Sequence, residues 1–286
     1  MSGRDYQSAS HSNSFINAES IFSALASDKR LGIINELYHA PSARSVNISK
    51  KLGIGQQLLH EHMRKLEEAG LVRRDSEREF SLTTFGDTIA GLIDTYLFLS
   101  EHKEYFSDHK FGDIPNKFIR RIGDLSDCTF VRGISEVLEL WGKVQSDAEQ
   151  YIYMALPEVP LFMMENLVKR ARELNNGIEI RCLFPKERMK AMKGELGRTG
   201  YEDLLKADVV RERKASKIQV AVVLSERQSL VFFPNQKGDT DMLSMFYEEM
   251  PHTGEGKSVR FHEWCLDYFR YKWHENDPVL VESARI

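Results

Sequence analysis

Between Glu19 and Leu82, apolar residues recur first at helical and then at strand spacing. This pattern predicts two helices, a short helix, a longer helix and two short strands, in this order: Glu19–Ala26, Asp28–Tyr38, Ser45–Gly53, Gly55–Ala69, Leu71–Arg74 and Glu79–Leu82. Gly53 is placed to adopt the left-handed conformation that ends the short helix. The polar run Asp75–Arg78 predicts a hairpin tip between the two strands. This order of elements is typical of a winged helix-turn-helix.

A long helix is predicted next, from Phe85 to about Phe106, with Thr83 and Thr84 as candidate caps. Its apolar residues fall on one helical face: Ile89, Leu92, Ile93, Tyr96 and Leu99. We expect this face either to form the seam of a homodimer or to pack only on its own domain.

Beyond a connector from His109 to Ser126, strand and helix patterns alternate, and we expect the domain boundary near this connector. The predicted elements are the strands Tyr151–Leu156, Ile178–Phe184, Ala207–Arg213, Ile218–Leu224 and Ser229–Pro234 and the helices Pro160–Leu174, Lys186–Leu196 and Val259–His274. The fold class is therefore α+β overall, with an α/β domain following the winged helix. The expected division is a polar tail over 1–16, a winged helix-turn-helix over 17–84, a long helix and connector over 85–126, and an α/β domain over 127–286.

The longer helix of the motif is amphipathic, as a helix that enters the major groove must be. Leu59, Met63 and Leu66 recur at i, i+4 and i+7 and form its apolar stripe. Its opposite face carries the candidate DNA-reading residues: Gln56, Gln57, His60, Glu61, Arg64 and Lys65. We expect the two glutamines to contact adenine and the two basic residues to contact phosphates. The wing would bring Arg73, Arg74 and Arg78 to the DNA backbone or the minor groove.

The charge distribution supports this interpretation, although the net charge of −4 alone would not. Between Arg44 and Arg74, seven basic residues face three acidic ones, which gives this segment +4 and leaves −8 for the remainder. A local basic surface favours phosphate contact, and an acidic remainder limits indiscriminate binding.

The composition, with 42% hydrophobic and 29% charged residues, is typical of a globular protein. The chain has no apolar run of membrane-spanning length, and it begins with a polar stretch that lacks the apolar core of a signal peptide. We therefore expect a cytoplasmic protein with no membrane contact. Cys128, Cys182 and Cys265 are too far apart in sequence to suggest a disulfide framework or a metal-binding pair. We expect neither a metal ion nor a cofactor.

The segment "LLHEHMRKLEEAGLVRRD" resembles the ArsR-type winged-helix regulators. His62 occupies the position of their helix-borne histidine, and Glu68–Val72 matches the sequence with which their first wing strand begins. Metal-sensing members carry cysteine pairs on or before this helix. This chain has no cysteine before Cys128, so the resemblance does not imply metal sensing.

The connector "HKFGDIPNKFIRRIGDLSD", His109–Asp127, is similar to the linker of the archaeal methanogenesis regulatory protein family. Those proteins join an ArsR-like winged helix to a C-terminal domain related in shape to the phospholipase D-like domain of the archaeal TrmB regulators. The resemblance covers the chain from about Ser20 to Trp273. It implies an archaeal transcription regulator that dimerises and has a sensor or dimerisation domain of this shape.

Phospholipase D chemistry requires a nucleophilic histidine two positions before a lysine. At the corresponding strand the sequence is Ser216-Lys217-Ile218-Gln219-Val220, which has no histidine, so we expect a non-catalytic domain and no enzyme. A small-molecule effector is conceivable, because methionines concentrate in this half and because a few basic residues lie on or beside its strands: Arg181, Arg211, Arg213 and Lys217. Packing and ordinary solvation of these side chains are the simpler alternatives.

Two functions fit the sequence. The first is a homodimeric, sequence-specific transcription regulator that binds double-stranded DNA at a pseudo-palindrome with half-sites about one helical turn apart. The second is a winged helix that serves as a protein-interaction module of a transcription complex without sequence-specific readout. Glu61 favours the second weakly, and the basic wing opposes it.

Overall fold

The computed structural model describes residues 18–40, 42–158, 160–250 and 259–277. The expected polar tail, residues 1–16, lies outside the described residues. The chain divides into two compact units between Tyr96 and Leu97. They are called the N-terminal unit and the C-terminal unit below.

The N-terminal unit contains the predicted series of helices followed by a hairpin. Its elements are α1 (residues 18–25), α2 (Asp28–His39), β1 (Ala43–Arg44), α3 (Ser45–Leu52), α4 (Gln56–Glu68), β2 (Val72–Arg74), β3 (Glu79–Leu82) and the start of α5 (Thr84–Glu101). One apolar core joins them, with α2 contributing Ile33, Ile34 and Leu37 and the hairpin contributing Phe80. The amphipathic stripes of the sequence thus meet in a single buried cluster.

The wing has a third strand that the sequence pattern did not predict. β1 pairs antiparallel with β3 through Ala43 and Arg44, and β3 pairs with β2 on its other side. β1 is only two residues long, too short to show an alternating pattern.

The prediction of one long helix from Phe85 to about Phe106 is wrong in one respect, because the structure has two helices there. α5 ends at Glu101 and α6 (Lys103–Asp108) follows, with His102 between them at φ −105° and ψ 24°. The imidazole of His102 packs edge-on against Phe98 at 4.7 Å and Phe246 at 4.9 Å. A helical period cannot reveal this break, because the aromatic partner Phe246 lies far away in sequence.

The C-terminal unit is built on one seven-stranded mixed sheet. Its strands are β4 (Thr129–Arg132), β5 (Tyr151–Ala155), β6 (Glu179–Pro185), β7 (Val210–Ala215), β8 (Ala221–Ser225), β9 (Gln228–Phe232) and β10 (Ser244–Glu249). They lie in the order β4-β10-β9-β8-β5-β6-β7, with β5, β6 and β7 parallel and the remaining pairs antiparallel.

Helices cover both faces of this sheet, so the unit has two apolar cores. α8 (Ile134–Asp147), α9 (Leu161–Glu173) and α11 (Tyr201–Lys206) contribute to one core, and α12 (Arg260–Glu275) covers the other. Alternate residues of β5 enter alternate cores, with Met154 on one side and Tyr153 on the other. α10 (Lys186–Thr199) follows β6 as predicted.

The sequence pattern identified β5, β6, the β8–β9 hairpin, α9, α10 and α12, each within a few residues. It missed β4, α8, α11 and β10. It also began the strand β7 at Ala207, whereas α11 is still helical at Lys206 and the strand begins at Val210.

The connector belongs to the C-terminal unit. It contains α7 (Asn116–Ile119) and a 3₁₀ turn, Ile122–Leu125, and its apolar residues are buried beside α12: Ile114, Phe118, Ile122 and Leu125. The division of the chain therefore falls inside α5, upstream of the connector near which we expected it. The reason is that the connector supplies core residues rather than exposed linker residues.

None of the described helices combines the length and the apolar character needed to span a bilayer. Cys182 and Cys265 are buried, and burial raises the pKa of the Cys182 thiol to about 12.

One buried polar group links α12 to the sheet. The His262 ring lies between the Ser229 hydroxyl, 2.7 Å from Nδ1, and the Tyr151 hydroxyl, 2.9 Å from Nε2. Burial lowers the pKa of His262 to about 4, so the ring is neutral near pH 7.

Replacing His262 with glutamine should flatten the pH dependence of stability. In the unfolded chain a histidine titrates near 6.5, so the unfolded state takes up the proton first. The stability contributed by neutral His262 is complete above about pH 6.5 and is lost as the pH falls toward 4. Urea unfolding at pH 7 and pH 4 should show the wild type losing about 3 kcal/mol more than His262→Gln. Equal losses in the two proteins would show that His262 does not carry this linkage.

Candidate nucleic-acid interface

The turn between α3 and α4 is fixed by one glycine and one serine. Gly53 has φ +62° and its amide donates to the carbonyl of Ser49, which ends α3. The Ile54 amide donates to the same carbonyl, and the Ser49 hydroxyl donates to the Ile54 carbonyl at 2.6 Å. Gly53 therefore ends the short helix as predicted, and the turn sets the angle at which α4 leaves.

Three side chains anchor α4 from behind. Leu59, Met63 and Leu66 are each at most 1% exposed and lie in the core of the N-terminal unit, as predicted. At the end of the helix, Gly70 adopts φ +72° and the Leu71 amide donates to the Leu66 carbonyl. This is a Schellman ending, which turns the chain directly into β2.

The nine predicted DNA-reading residues are all exposed: Gln56, Gln57, His60, Glu61, Arg64, Lys65, Arg73, Arg74 and Arg78. On α4, the helical period of 100° brings Gln57, Glu61 and Arg64 together on the side opposite the buried stripe. The Arg64 guanidinium is held by Glu68 at 2.8 Å, an exposed i,i+4 pair that water and salt weaken.

Gln56 and His60 are placed differently. The Gln56 amide turns back toward the Ser45 carbonyl at 3.5 Å, and the His60 ring nitrogen lies 2.9 Å from the Gln56 carbonyl. Both side chains therefore lie along the flank of α4 that adjoins α3. The predicted set thus separates into a central row of three residues and a flanking pair.

The N-terminus of α4 adds a contact that needs no side chain. Its N-cap is Gly55, no side chain caps the first turn, and that turn contains no acidic residue. Among the described residues, the Leu59 amide is the first of α4 to pair within the helix, through the Gly55 carbonyl. The preceding amides point outward with the positive end of the helix dipole, an arrangement suited to a phosphate.

The hairpin tip is held by one aspartate. The Asp75 carboxylate accepts hydrogen bonds from the amides of Glu77 and Glu79 at 2.9 and 2.8 Å. This turn holds Arg78 at φ +65°, a conformation that an arginine adopts at some conformational cost. The side chain of Arg78 projects, exposed, from the end of the wing.

The two other wing arginines lie on opposite faces of the hairpin. Arg73 pairs across the strands with Ser81 and donates to its hydroxyl at 3.2 Å, whereas Arg74 lies over the Phe80 ring. Neighbouring strand residues point to opposite sides, so one phosphate cannot contact both arginines. Among the described residues, none of the three wing arginines has a carboxylate partner.

Thr83 joins the wing to α5. Its hydroxyl accepts from the Gly86 amide at 2.9 Å, which makes it the N-cap of α5, and donates to the Gly70 carbonyl at 2.7 Å. Gly86 lies so close to the residue before β2 that a Cβ there would be 1.8 Å from the Leu71 carbonyl oxygen. This contact fixes β2 against the first turn of α5.

The histidines do not form a metal site in the part of the chain that is described, where no three His, Cys, Asp or Glu side chains are grouped for a metal ion. His62, which matches the histidine of the ArsR-type pattern, is half-buried on α4. Burial and the charge of Arg30 lower its pKa.

Comparison with known proteins identifies this segment. Residues 27–73 match the family described as winged helix-turn-helix DNA-binding. These residues form a winged helix-turn-helix DNA-binding domain. No curated protein matches the chain.

Several solved structures are similar to the chain at low identity. TrmBL2, an archaeal chromatin protein, is 12% identical, with 87% of this chain and 93% of that chain covered and a TM-score of 0.40. ZitR of Lactococcus lactis, as an apo mutant, is 20% identical over 35% of this chain and 80% of its own, with a TM-score of 0.25. The MarR repressor of Listeria monocytogenes is 16% identical over 48% of this chain and 91% of its own, with a TM-score of 0.26.

The predicted set of DNA-reading residues omits two exposed side chains on α3 and α4. Leu58 is 43% exposed on α4, and Lys50 is exposed at the end of α3 without a carboxylate partner among the described residues. Leu58 lies about 100° from Leu59, out of phase with the buried stripe, and this phase was the signal that could have identified it.

Gly86→Ala should destabilise the N-terminal unit by about 3 kcal/mol, because the added methyl group overlaps the Leu71 carbonyl and the backbone must move. Gly91→Ala on the same helix is the matched control. Its Cβ would contact the end of the Tyr38 side chain, with the hydroxyl at 3.4 Å, and alanine favours the helix by up to about 1 kcal/mol. Thermal unfolding of both variants checks this. A Gly86→Ala protein as stable as Gly91→Ala would contradict the packing described.

Proposed function

We propose that this protein is a sequence-specific, DNA-binding transcription regulator that inserts α4 into the major groove. The observation that carries the proposal is the winged helix-turn-helix domain with a recognition helix anchored at Leu59, Met63 and Leu66. The major groove is wide enough to admit a helix presented in this way.

The central row of α4 suits base readout. Gln57 can offer a paired donor and acceptor to adenine, and Glu61 can accept from the amino group of cytosine. Arg64 can reach a guanine edge or a phosphate once DNA competes with its exposed pair to Glu68. Gln56 and His60 remain in the proposed reading set and serve the flank nearest α3.

The remaining contacts suit the DNA backbone, which supplies affinity without sequence information. Among the described residues, five exposed cations of this domain have no carboxylate partner: Lys50, Lys65, Arg73, Arg74 and Arg78. The uncapped first turn of α4 adds backbone amides to this set.

A salt titration tests DNA binding itself. Each phosphate contact releases counterions, so raising salt from 50 to 200 mM should weaken binding to a random duplex by about 10-fold to 1,000-fold. A protein-interaction module is the second candidate, favoured by Glu61, Glu68 and the exposed Leu58 on the same surface. That function predicts no measurable, salt-sensitive affinity for any duplex.

Arg78→Gly should weaken binding to all sequences alike and reduce the salt dependence by about one unit for each protomer bound. Glycine adopts φ +65° without cost, so the wing should fold at least as well as in the wild type. Gel-shift titrations at several salt concentrations check this, with Ser76→Gly at the same tip as control. Loss of affinity for one sequence alone would contradict a backbone role for Arg78.

We also propose that the protein acts as a homodimer through α5. Phe85, Leu92 and Tyr96 are 43%, 36% and 62% exposed and share one side of this helix, with the half-buried Ile89 between them. An exposed stripe of aromatic and aliphatic residues is typical of self-complementary interfaces. A two-fold dimer would read a pseudo-palindrome with half-sites about one helical turn apart.

Leu92→Glu should convert a dimer into a monomer, because the interface would bury an unpaired charge at the centre of the stripe. Leu97→Glu is the matched control. Leu97 lies on the same helix, is 50% exposed, and is about 100° around the helix from Tyr96. Analytical ultracentrifugation of both variants gives the masses. If both variants kept the mass of the wild type, α5 would not be the seam.

We further propose that the protein has the same domain order as the methanogenesis regulatory protein family. The ArsR-like segment Glu68–Val72 and the connector His109–Asp127 support this assignment. The seven-stranded sheet with helices on both faces agrees with an α/β sensor or dimerisation domain of the phospholipase D-like type. Ser216 and Lys217 stand, exposed, where that enzyme class would need its histidine, so we propose no catalytic role for this unit.

A further inference from the structure

A cavity of about 520 Å³ lies at the carboxyl ends of the parallel strands of the seven-stranded sheet. The parallel strands β5, β6 and β7 all end there, and residues at or just beyond their ends line it: Pro157 and Glu158, Pro185, and Ser216 to Ile218. In α/β sheets, ligands bind in crevices outside the carboxyl ends of parallel strands. The volume of this cavity is in the range of small-molecule sites.

The opposite wall is the connection from β9 to β10, which is firmly braced. The Thr240 hydroxyl donates to the Gln219 carbonyl at 2.7 Å, and the Gln219 amide donates to the Gly238 carbonyl at 2.9 Å. Gly238 has φ +88°, and a Cβ there would lie 2.7 Å from Gln219 Nε2. The positive φ favours glycine at this position, and the two hydrogen bonds from Thr240 and Gln219 give the wall a defined shape.

Three polar side chains of the cavity take no part in the hydrogen bonds that hold this wall. Ser216, Lys217 and Asp239 line it, and none of the three side chains has a hydrogen-bond or ion-pair partner among the described residues. Arg181, Arg211 and Arg213, the other cations that the sequence suggested for an anion, are paired with Glu179, Asp208 and Asp277. Lys217 is therefore the one of the four suggested cations without a carboxylate partner in the described chain.

The charges limit the ligand. Among the described residues of the lining, Lys217 is the only cation, and the carboxylates of Asp239 and Glu158 would repel a second negative charge on the ligand. The Asp239 carboxylate can accept hydrogen bonds from hydroxyl or ammonium groups of a ligand. Ile218 and Met242 provide apolar surface for a short carbon chain.

We propose that this cavity binds a small molecule with one carboxylate and several hydrogen-bond donors, with the carboxylate on Lys217 and Ser216 and the donors toward Asp239. A hydroxy acid and an amino acid share this chemistry. The ligand would be the effector of the proposed regulator, so the physiological role, though not the binding, rests on the proposed function.

The test is calorimetric titration of the full chain, without DNA, with gluconate and glutamine as the two ligand types. Glucose, which has no charge, and citrate, which has three carboxylates, are the comparison ligands. We expect saturable binding of gluconate or glutamine, with glucose and citrate at least about 10-fold weaker. Which of the two binds distinguishes a hydroxy acid site from an amino acid site.

Lys217→Met should weaken that binding by about 10-fold or more, the effect of losing one charge-assisted hydrogen bond. Lys206→Met is the matched control, because Lys206 is exposed at the end of α11, before β7 begins. Failure of both ligands to bind, tighter binding of citrate, or equal affinity of Lys217→Met and the wild type would overturn the proposal. Since no DNA is present, failure here and failure of DNA binding are separate results.

Discussion

Burial of Leu59, Met63 and Leu66 is the interaction on which the N-terminal unit depends. Removing these side chains from water contributes roughly 5 to 8 kcal/mol before the cost of ordering the helix. The same burial fixes the rotation of α4, because side chains on a helix cannot turn independently of its axis. Gln57, Glu61 and Arg64 face outward because the stripe faces inward. Stability and the proposed readout therefore arise from one packing arrangement.

Most of the N-terminal unit could be predicted from the sequence because its contacts are local. The stripe of α4, Gly53, and Thr83 as the cap of α5 each follow from spacing or residue type, and the structure confirms them. The unpredicted features depend on distant partners. β1 pairs with the free edge of β3, and the Gln56 amide contacts the Ser45 carbonyl of α3. Neither contact leaves a period in the sequence.

In the C-terminal unit, the buried strands β5, β6, β8 and β9 were visible as apolar runs. The edge strand β4 was not, because it has only four residues, of which Thr129 and Arg132 are exposed and Val131 is buried. The connector was misjudged for a related reason. We expected the domain boundary near it from the sequence, whereas its apolar residues pack beside α12. The cavity residues Ser216, Lys217 and Asp239 meet only through the sheet topology, since two strands and a loop separate them in sequence.

The central claim is that the outward row of α4 reads bases, and selection of bound sequences from a random DNA pool tests it most directly. The wild-type chain should enrich a pseudo-palindrome, and Gln57→Ala should lose the preference at one position in each half-site while keeping the rest. A truncated glutamine leaves backbone contacts intact, so overall affinity should fall by only the cost of one base contact, about 1 to 3 kcal/mol. No enriched sequence, or identical sequences from the wild type and Gln57→Ala, would contradict the account.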